Sequence, residues 1–311
     1  MVTMRKTHLL SYCLLAILGI TACSKKNDAQ QPKLKNDGQL ALISDTTKVS
    51  GACDYDLNDA ALQAQGYTKV FEDNFSTLDT TRWDRWNSGA YNDELQMYTP
   101  KNLHIIDGKL VIKPVKQRVT GATDPDNSTP KTFDFTSGRI ESHYNFKAST
   151  ATPKVRISAR MKLPLGYGMW PAFWTYGGWW PTNGELDIME GFGERRLYST
   201  NIWYGSQPET PDHNYDHAMT YLQSQTDQTT CYHVYEAIWQ KDTVTFLFDG
   251  AIVRKLVSST MAGKFIPKFF NKEHHITLNA AIGGENFGAI DPSKVVLGDT
   301  YVDWVKVYTA K

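Results

Sequence analysis

Three carboxylates fall within six residues at Glu185, Asp187 and Glu190, in the segment GELDIMEG, where they alternate with Leu186, Ile188 and Met189. Carboxyl groups crowded together raise one another's pKa, so that one stays protonated and can give a proton while another stays ionised and can attack. Cleavage of a glycosidic bond uses such a pair, and retention of configuration requires the outer two about 5–5.5 Å apart. A helix does not assemble the set, because at about 100° per residue Glu185 and Glu190 would lie about 140° apart. In a strand, Glu185 and Asp187 share one face while Leu186 and Ile188 fill the other. Strict alternation would then send Glu190 into the apolar face as an unpaired charge, which is very unfavourable. A β-bulge near Ile188-Met189 returns Glu190 to the face of Glu185 and Asp187. By spacing alone, such a strand suits a solvated edge or calcium ligation as well as catalysis.

Aromatic residues are in excess, with 13 Phe, 9 Trp and 16 Tyr, and Trp170, Trp174, Trp179, Trp180 and Trp203 cluster around the acidic segment. Trp170 and Trp174 lie four apart on a strand candidate and so face one side, where indole planes either stack on pyranose rings or pack into a core.

The elements that must carry these groups read as short strands joined by turns. Lys154 to Met161 alternates Val155, Ile157, Ala159 and Met161 with polar neighbours, as in a sheet with one face on a core. Leu103–Ile106 and Lys109–Lys113 flank Asp107-Gly108, and Val244–Phe248 and Ala251–Arg254 flank Asp249-Gly250, both two-residue hairpin signals. Further strand candidates are Val70–Phe75, Arg139–Phe146, Met169–Tyr176, Glu185–Glu190, Leu197–Tyr204, Tyr232–Trp239, His275–Ala281 and Tyr301–Tyr308. Leu57–Gln65 is the one stretch that suggests a helix, and Gln117–Thr136 reads as the longest loop. The count is that of an all-β antiparallel sandwich in a single domain.

The chain has 311 residues, 41% hydrophobic and 21% charged, with 33 basic residues against 33 acidic ones. Zero formal net charge removes the cationic field on which nucleic-acid binders rely. Residues 1–22 form a leader: Arg5 and Lys6, an apolar run from Leu9 to Ile20, then small residues before Cys23. The run falls short of the roughly 20 residues of a membrane span. Ile20-Thr21-Ala22-Cys23 resembles a bacterial lipobox, which implies lipidation at Cys23 and an extracytoplasmic protein anchored in a membrane, at its periplasmic face or the cell surface. A conventional signal peptide would release the protein instead. Residues 23–53 are mostly polar and read as a tether, leaving residues 54–311 as the domain. With Cys13 in the leader and Cys23 lipidated, Cys53 and Cys231 remain, either as a disulfide or as two half-buried thiols.

Gly168-Met169-Trp170-Pro171-Ala172-Phe173-Trp174, then Trp180-Pro181 and GELDIME, resemble the signature of glycoside hydrolase family 16, in particular its laminarinase-like endo-β-1,3-glucanases. The resemblance runs from about Tyr67 to Tyr308 through NDELQMYT at 92–99, SGRI at 137–140, RMKLP at 160–164, Tyr232-His233, FDG at 248–250, LNAAIGG at 278–284 and VDWVKVY at 302–308. It implies a concanavalin-like β-jelly-roll sandwich with a concave sugar-binding cleft, and a polysaccharide as partner. It also implies roles: Glu185 as nucleophile, Asp187 as the auxiliary carboxylate that tunes it, and Glu190 as acid/base. Asn92, Glu94, Arg139, Trp170, Trp174, Trp180 and Asn279 become candidate sugar contacts, with Arg139 open to a purely structural ion pair. His233 matches a position that is usually structural. No cofactor is implied for the chemistry. A structural calcium is common in the family; Asp303, with backbone groups near Glu72 and Gly108, would hold it, unless Asp303 simply faces solvent.

Two departures bear on substrate. Trp203 stands where glucanase-like members often carry a histidine, which suggests a stacking surface among the sugar contacts. Ser158 replaces the acid of a segment usually read as G-R-x-E-x-R. The reading is therefore an endo-glycosidase cutting β-1,3 or mixed β-1,3/1,4 glucosidic bonds of polymers such as laminarin. A galactanase acting on agarose or carrageenan and a non-catalytic glycan-binding lipoprotein are the alternatives.

Overall fold

The computed structural model describes residues 53–205, 215–217, 219–224, 226–288 and 290–311, so the leader, Cys23 and the tether before Cys53 lie outside the described residues. Helix α1 (Asp59–Ala64) is followed by β1 (Thr68–Asp73), β2 (Trp83–Arg85), β3 (Gln96–Tyr98), β4 (Leu103–Ile106), β5 (Lys109–Ile112), β6 (Val115–Asp124), β7 (Asn127–Ser137), β8 (Arg139–Ser142) and β9 (Lys154–Lys162). The second half contains β10 (Met169–Tyr176), β11 (Glu185–Gly191), β12 (Leu197–Gly205), β13 (Tyr215–His217), β14 (Thr220–Gln223), β15 (His233–Gln240), β16 (Thr243–Phe248) and β17 (Ala251–Val257). Helix α2 (Ile266–Phe269), β18 (His275–Ile282) and β19 (Thr300–Ala310) complete it.

Two antiparallel sheets form the expected jelly-roll sandwich. The first runs β17-β16-β15-β9-β19-β5-β4, with β1 also on β19. The second runs β13-β12-β11-β10-β18-β8-β2, with β14 also on β12. Alternation explains the core between them. Val155, Ile157, Ala159 and Met161 point inward from β9 and meet Phe173, Leu186, Leu278 and Ala280 of the second sheet, all buried. Burying that much apolar surface is the main force holding the sheets together. Asp107 and Gly108 have φ of 50° and 67°, and Asp249 and Gly250 have 51° and 77°, so both hairpins turn through the doubly left-handed geometry that these residue pairs favour.

The stretch Gln117–Thr136 is not a loop. It forms the long hairpin β6–β7, whose base joins β3 in a small third sheet. Most of it is exposed on both faces, and register shifts at Lys116/Val119 and Ala122/Asp124 break the period. No apolar alternation could therefore announce it. Backbone pairing makes these strands; Phe133 and Phe135 are their buried apolar side chains, and Phe135 joins the core between the sheets. Short β2, β3, β13 and β14 likewise carry too few residues for a pattern.

Cys53 and Cys231 are paired, with Cα atoms 5.2 Å apart. The bond straps the start of the domain to the segment just before β15. Arg160 reinforces it by donating to the carbonyls of Tyr55 (2.8 Å) and Asp54 (3.3 Å).

Candidate active site

Strand β11 lies within the second sheet between β10 and β12, and its irregularity decides where its acids point. Asp187 pairs with Asn201 and Glu190 with Ser199, so two steps along β12 face three steps along β11. On the other side the register slips between Phe173 and Trp174. Ile188 and Met189 form the bulge and are both buried in the core, which leaves Glu185, Asp187 and Glu190 on the opposite face. The bulge expected from the cost of burying Glu190 is where it was placed.

Each outer carboxylate receives its own indole. Trp180 Nε1 donates to Glu185 Oε2 at 2.6 Å, and Trp170 Nε1 donates to Glu190 Oε1 at 3.0 Å. Ser199 Oγ donates to Glu190 Oε2 at 3.1 Å. Between them, Asp187 is held as the neutral acid: burial, then the negative charge of Glu185 and the hydrogen bond to it, push its carboxyl well above the usual range. Burial also pushes Glu185 up, to about 7, while hydrogen bonds from Asp187 and Trp180 and the charge of Arg139 pull it back. The pair thus shares one proton, which resides on Asp187 and is donated to Glu185. Above about pH 7 that leaves Glu185 ionised while Asp187 keeps the proton, a state in which Glu185 could act as a nucleophile.

The remaining candidates form a hydrogen-bonded relay next to these acids. Trp174 Nε1 donates to Asn279 Oδ1 (2.7 Å), Asn279 Nδ2 to Tyr98 Oη (3.0 Å), and the Tyr98 hydroxyl to Glu94 Oε2 (2.9 Å). Gln96 also donates to Glu94 Oε2 (2.6 Å) and accepts from the Ile282 amide. Burial raises the Glu94 pKa, against hydrogen bonds from Gln96, Tyr98 and Asn92. Asn279 therefore positions Trp174, and Glu94 anchors the loop that carries the exposed Asn92. Arg139 makes the ion pair anticipated as its structural role, donating to Glu141 Oε1 through Nε (2.9 Å) and Nη2 (2.6 Å). Its guanidinium also lies 3.6 Å from the Trp86 ring centre and 4.8 Å from that of Trp174. Although burial opposes it, Arg139 with His275 holds Glu141 down at about 2. Ser199, Tyr98, Gln96, Glu141 and Trp86 were not recognisable as site residues from the sequence. Their partners lie up to 186 residues away along the chain; the signals available were the aromatic character of Trp86 and Tyr98 and the place of Gln96 and Tyr98 in the segment NDELQMYT.

Residues 86–306 match the family described as "Glycosyl hydrolases family 16". The chain belongs to glycoside hydrolase family 16.

Among relatives of this family 16 chain, a glucan endo-1,3-beta-glucosidase of Cryptopygus antarcticus is 31% identical over 233 residues, 68% of this chain and 80% of that protein. Glucan endo-1,3-beta-glucosidase A1 of Niallia circulans is 28% identical over 274 residues, 78% of this chain but only 38% of that protein. A keratan-sulfate endo-1,4-beta-galactosidase of Sphingobacterium multivorum is 26% identical over 98% of this chain. The solved endo-beta-1,3-glucanase of Pyrococcus furiosus superposes with a TM-score of 0.64 at 28% identity, covering 79% of this chain and 95% of its own.

Both departures from the family pattern have structural explanations. The Trp203 side chain, expected as a stacking surface, hydrogen-bonds Asp187, as does Asn201. An indole there meets the middle carboxyl of the three directly. Ser158 makes room for an acid from the neighbouring strand. Glu236 on β15 accepts from Ser158 Oγ (2.7 Å) and from Arg156 Nε (2.6 Å) and Nη2 (2.7 Å), a buried pair with its bonds satisfied. His233, bonded to Asp249 at 2.7 Å and fully buried, is structural, as expected.

The calcium expectation is not supported by the donors at its residues. Asp303 is taken by Arg160 and by Lys109 (3.4 Å), the Glu72 carboxylate by Lys69 (2.6 Å) and Lys306 (3.6 Å), and the Glu72 carbonyl by Arg82 (2.5 Å). Gly108 sits at the β4–β5 turn. Cationic side chains of the protein thus engage the oxygens of Asp303 and Glu72 expected to bind the ion. Among the described residues no group of three or more His, Cys, Asp or Glu side chains is arranged to hold a metal.

Proposed function

We propose that this family 16 enzyme is a retaining endo-glucanase that hydrolyses internal β-1,3 or mixed β-1,3/1,4 glucosidic bonds of polysaccharides such as laminarin. The observation that carries the mechanism is the division of labour along β11, with Glu185 and Glu190 on separate indole donors and a protonated Asp187 between them. In the first step Glu185 attacks the anomeric carbon as Glu190 gives its proton to the departing glycosidic oxygen, leaving a glycosyl ester on Glu185. Glu190, now ionised, takes a proton from water as that water attacks the same carbon, and the Glu185 carboxylate leaves. Asp187 strengthens its hydrogen bond to Glu185 as charge returns to that oxygen, which stabilises the leaving carboxylate.

The glucan assignment is supported by the two endo-1,3-glucosidase relatives and the solved endo-1,3-glucanase. The lipobox at Cys23 supports a lipid-anchored extracytoplasmic protein, and the Cys53–Cys231 disulfide suits an oxidising compartment. Labelling with a lipid precursor, lost in Cys23→Ala, tests the anchor.

Product analysis on laminarin, mixed-linkage glucan, agarose, carrageenan and keratan sulfate tests the substrate, with Glu185→Gln beside the wild type. Short β-1,3-linked oligosaccharides that vanish in the variant are expected. Cleavage of a galactan alone, which the Sphingobacterium relative makes worth including, would keep the mechanism and overturn the substrate. Silence on every polymer would leave a glycan-binding lipoprotein.

A further inference from the structure

From β11 a row of rings crosses the sheet, shifting along it by two residues between Trp174 on β10 and Arg139 on β8. Trp174 and Tyr176 on β10 pair directly with Asp187 and Glu185 and stack on one another, with ring centres 4.9 Å apart. Two strands further on, Arg139 of β8 lies between the faces of Trp174 and Trp86. Trp86 follows β2 and meets Tyr91 edge to face at 6.3 Å. From β11 to β2 the row covers four strand spacings, roughly 19 Å, enough for several sugar units. Trp86 and Trp174 are half-buried, and Tyr91, at the far end, is 43% exposed.

Tyr91 is held in place by the hairpin that sequence patterning did not reveal. Its hydroxyl donates to Asp126 Oδ2 at 2.5 Å, in the turn between β6 and β7. The Gly89 amide bonds the Ala122 carbonyl (3.0 Å), and a Cβ at Gly89 would collide with the Thr123 carbonyl, so the hairpin lies directly on this loop. Asn92 and Asp93 follow with φ of 60° and 53°, a left-handed pair that turns the chain from Tyr91 back to the buried Glu94. An exposed tyrosine on an isolated loop would lose rotamer freedom on binding a sugar; here that ordering is already present in the free protein.

We propose that Tyr91, clamped by Asp126 of the β6–β7 hairpin, is the outermost sugar platform on the side of the sheet that runs from β10 to β2, and sets how long a chain the enzyme grips. This rests on the polysaccharide hydrolase reading above. A sugar ring lying on Tyr91 is far from the bond being cut, so the contact is the same in ground and transition states and shows in KM rather than kcat.

The test uses the wild type, Tyr91→Ala, Tyr91→Phe and Asp126→Ala on a ladder of oligosaccharides from the polymer the wild type cuts. Tyr91→Ala is expected to raise KM roughly threefold to tenfold on the longest members and to leave the shortest cleaved member unchanged. Tyr91→Phe keeps the ring, and Asp126→Ala frees it, so both should give smaller rises with the same length dependence. A change equal at every length, or no change at any, would overturn the proposal. If Tyr91→Ala fails on the shortest member through misfolding, the length dependence of the other two variants decides. Cleavage of a galactan ladder instead of glucan would overturn the substrate assignment while this test is read on that ladder, and hydrolysis of no polymer would overturn both.

Discussion

Replacing Trp180 by Phe removes one N–H and leaves an aromatic ring, which makes it a sharp probe of how Glu185 is tuned. The indole donates to Glu185 Oε2 at 2.6 Å, and Glu185 titrates at about 7 with that bond in place. A hydrogen bond to a charged group is worth about 1.5–3 kcal/mol. Glu185 is only half-buried, so the lower figure applies, about one pKa unit. A donor favours the ionised carboxylate, so its loss must move the pKa upward, to about 8. Because kcat/KM reports the free enzyme, its acid limb should shift by the same amount. At pH 7 the ionised fraction would drop from about one half to about one tenth, a roughly fivefold loss that should largely disappear at pH 9. The assay is the pH profile of kcat/KM on a soluble oligosaccharide. An acid limb that stays at about 7 or moves to lower pH would refute the account, as would a loss equal at every pH.

Other perturbations test the remaining parts. Glu190→Gln keeps the shape that Trp170 and Ser199 hold but cannot protonate the departing oxygen, so it should cost about 10²–10⁴-fold on polymer. Much less should be lost on an aryl glycoside whose leaving group needs no proton, and equal losses on both would count against the acid/base role. The disulfide closes a separation of 178 residues, for which chain entropy gives at most about 5 kcal/mol. Reduction should therefore lower the melting temperature by about 10 °C, and an unchanged melt would mean that the amino-terminal strap contributes nothing to global stability. Chelator treatment should leave the melting temperature where it was, since Arg160 and Lys109 already satisfy Asp303; a drop restored by calcium would show that an ion binds there after all.

The acidic strand was legible because two local rules conflict over it. Period two places Glu185 and Asp187 outward, and the cost of a buried unpaired charge forces a bulge before Glu190. Both rules act within six residues, so no distant part of the molecule is needed to apply them. The Asp-Gly hairpins and the inward alternation of β9 were legible for the same reason. The hairpin β6–β7 was not, because strands exposed on both faces carry no burial pattern. Asn279 and Arg139, expected as sugar contacts, lie beside the acids, where they hold Trp174 and pair with Glu141.

The sequence by itself thus determined the sheet class, the acids and the side of the strand they occupy, because each follows from a backbone period and the price of burying charge. Only the tertiary structure decided which indole serves which carboxylate, that Trp203 bonds Asp187, that Cys53 meets Cys231, and that Arg160 takes the carboxylate assigned to calcium. Those contacts join strands that are neighbours in a sheet and distant along the chain. Their geometry depends on register and on packing between the sheets, which no local spacing of residues encodes.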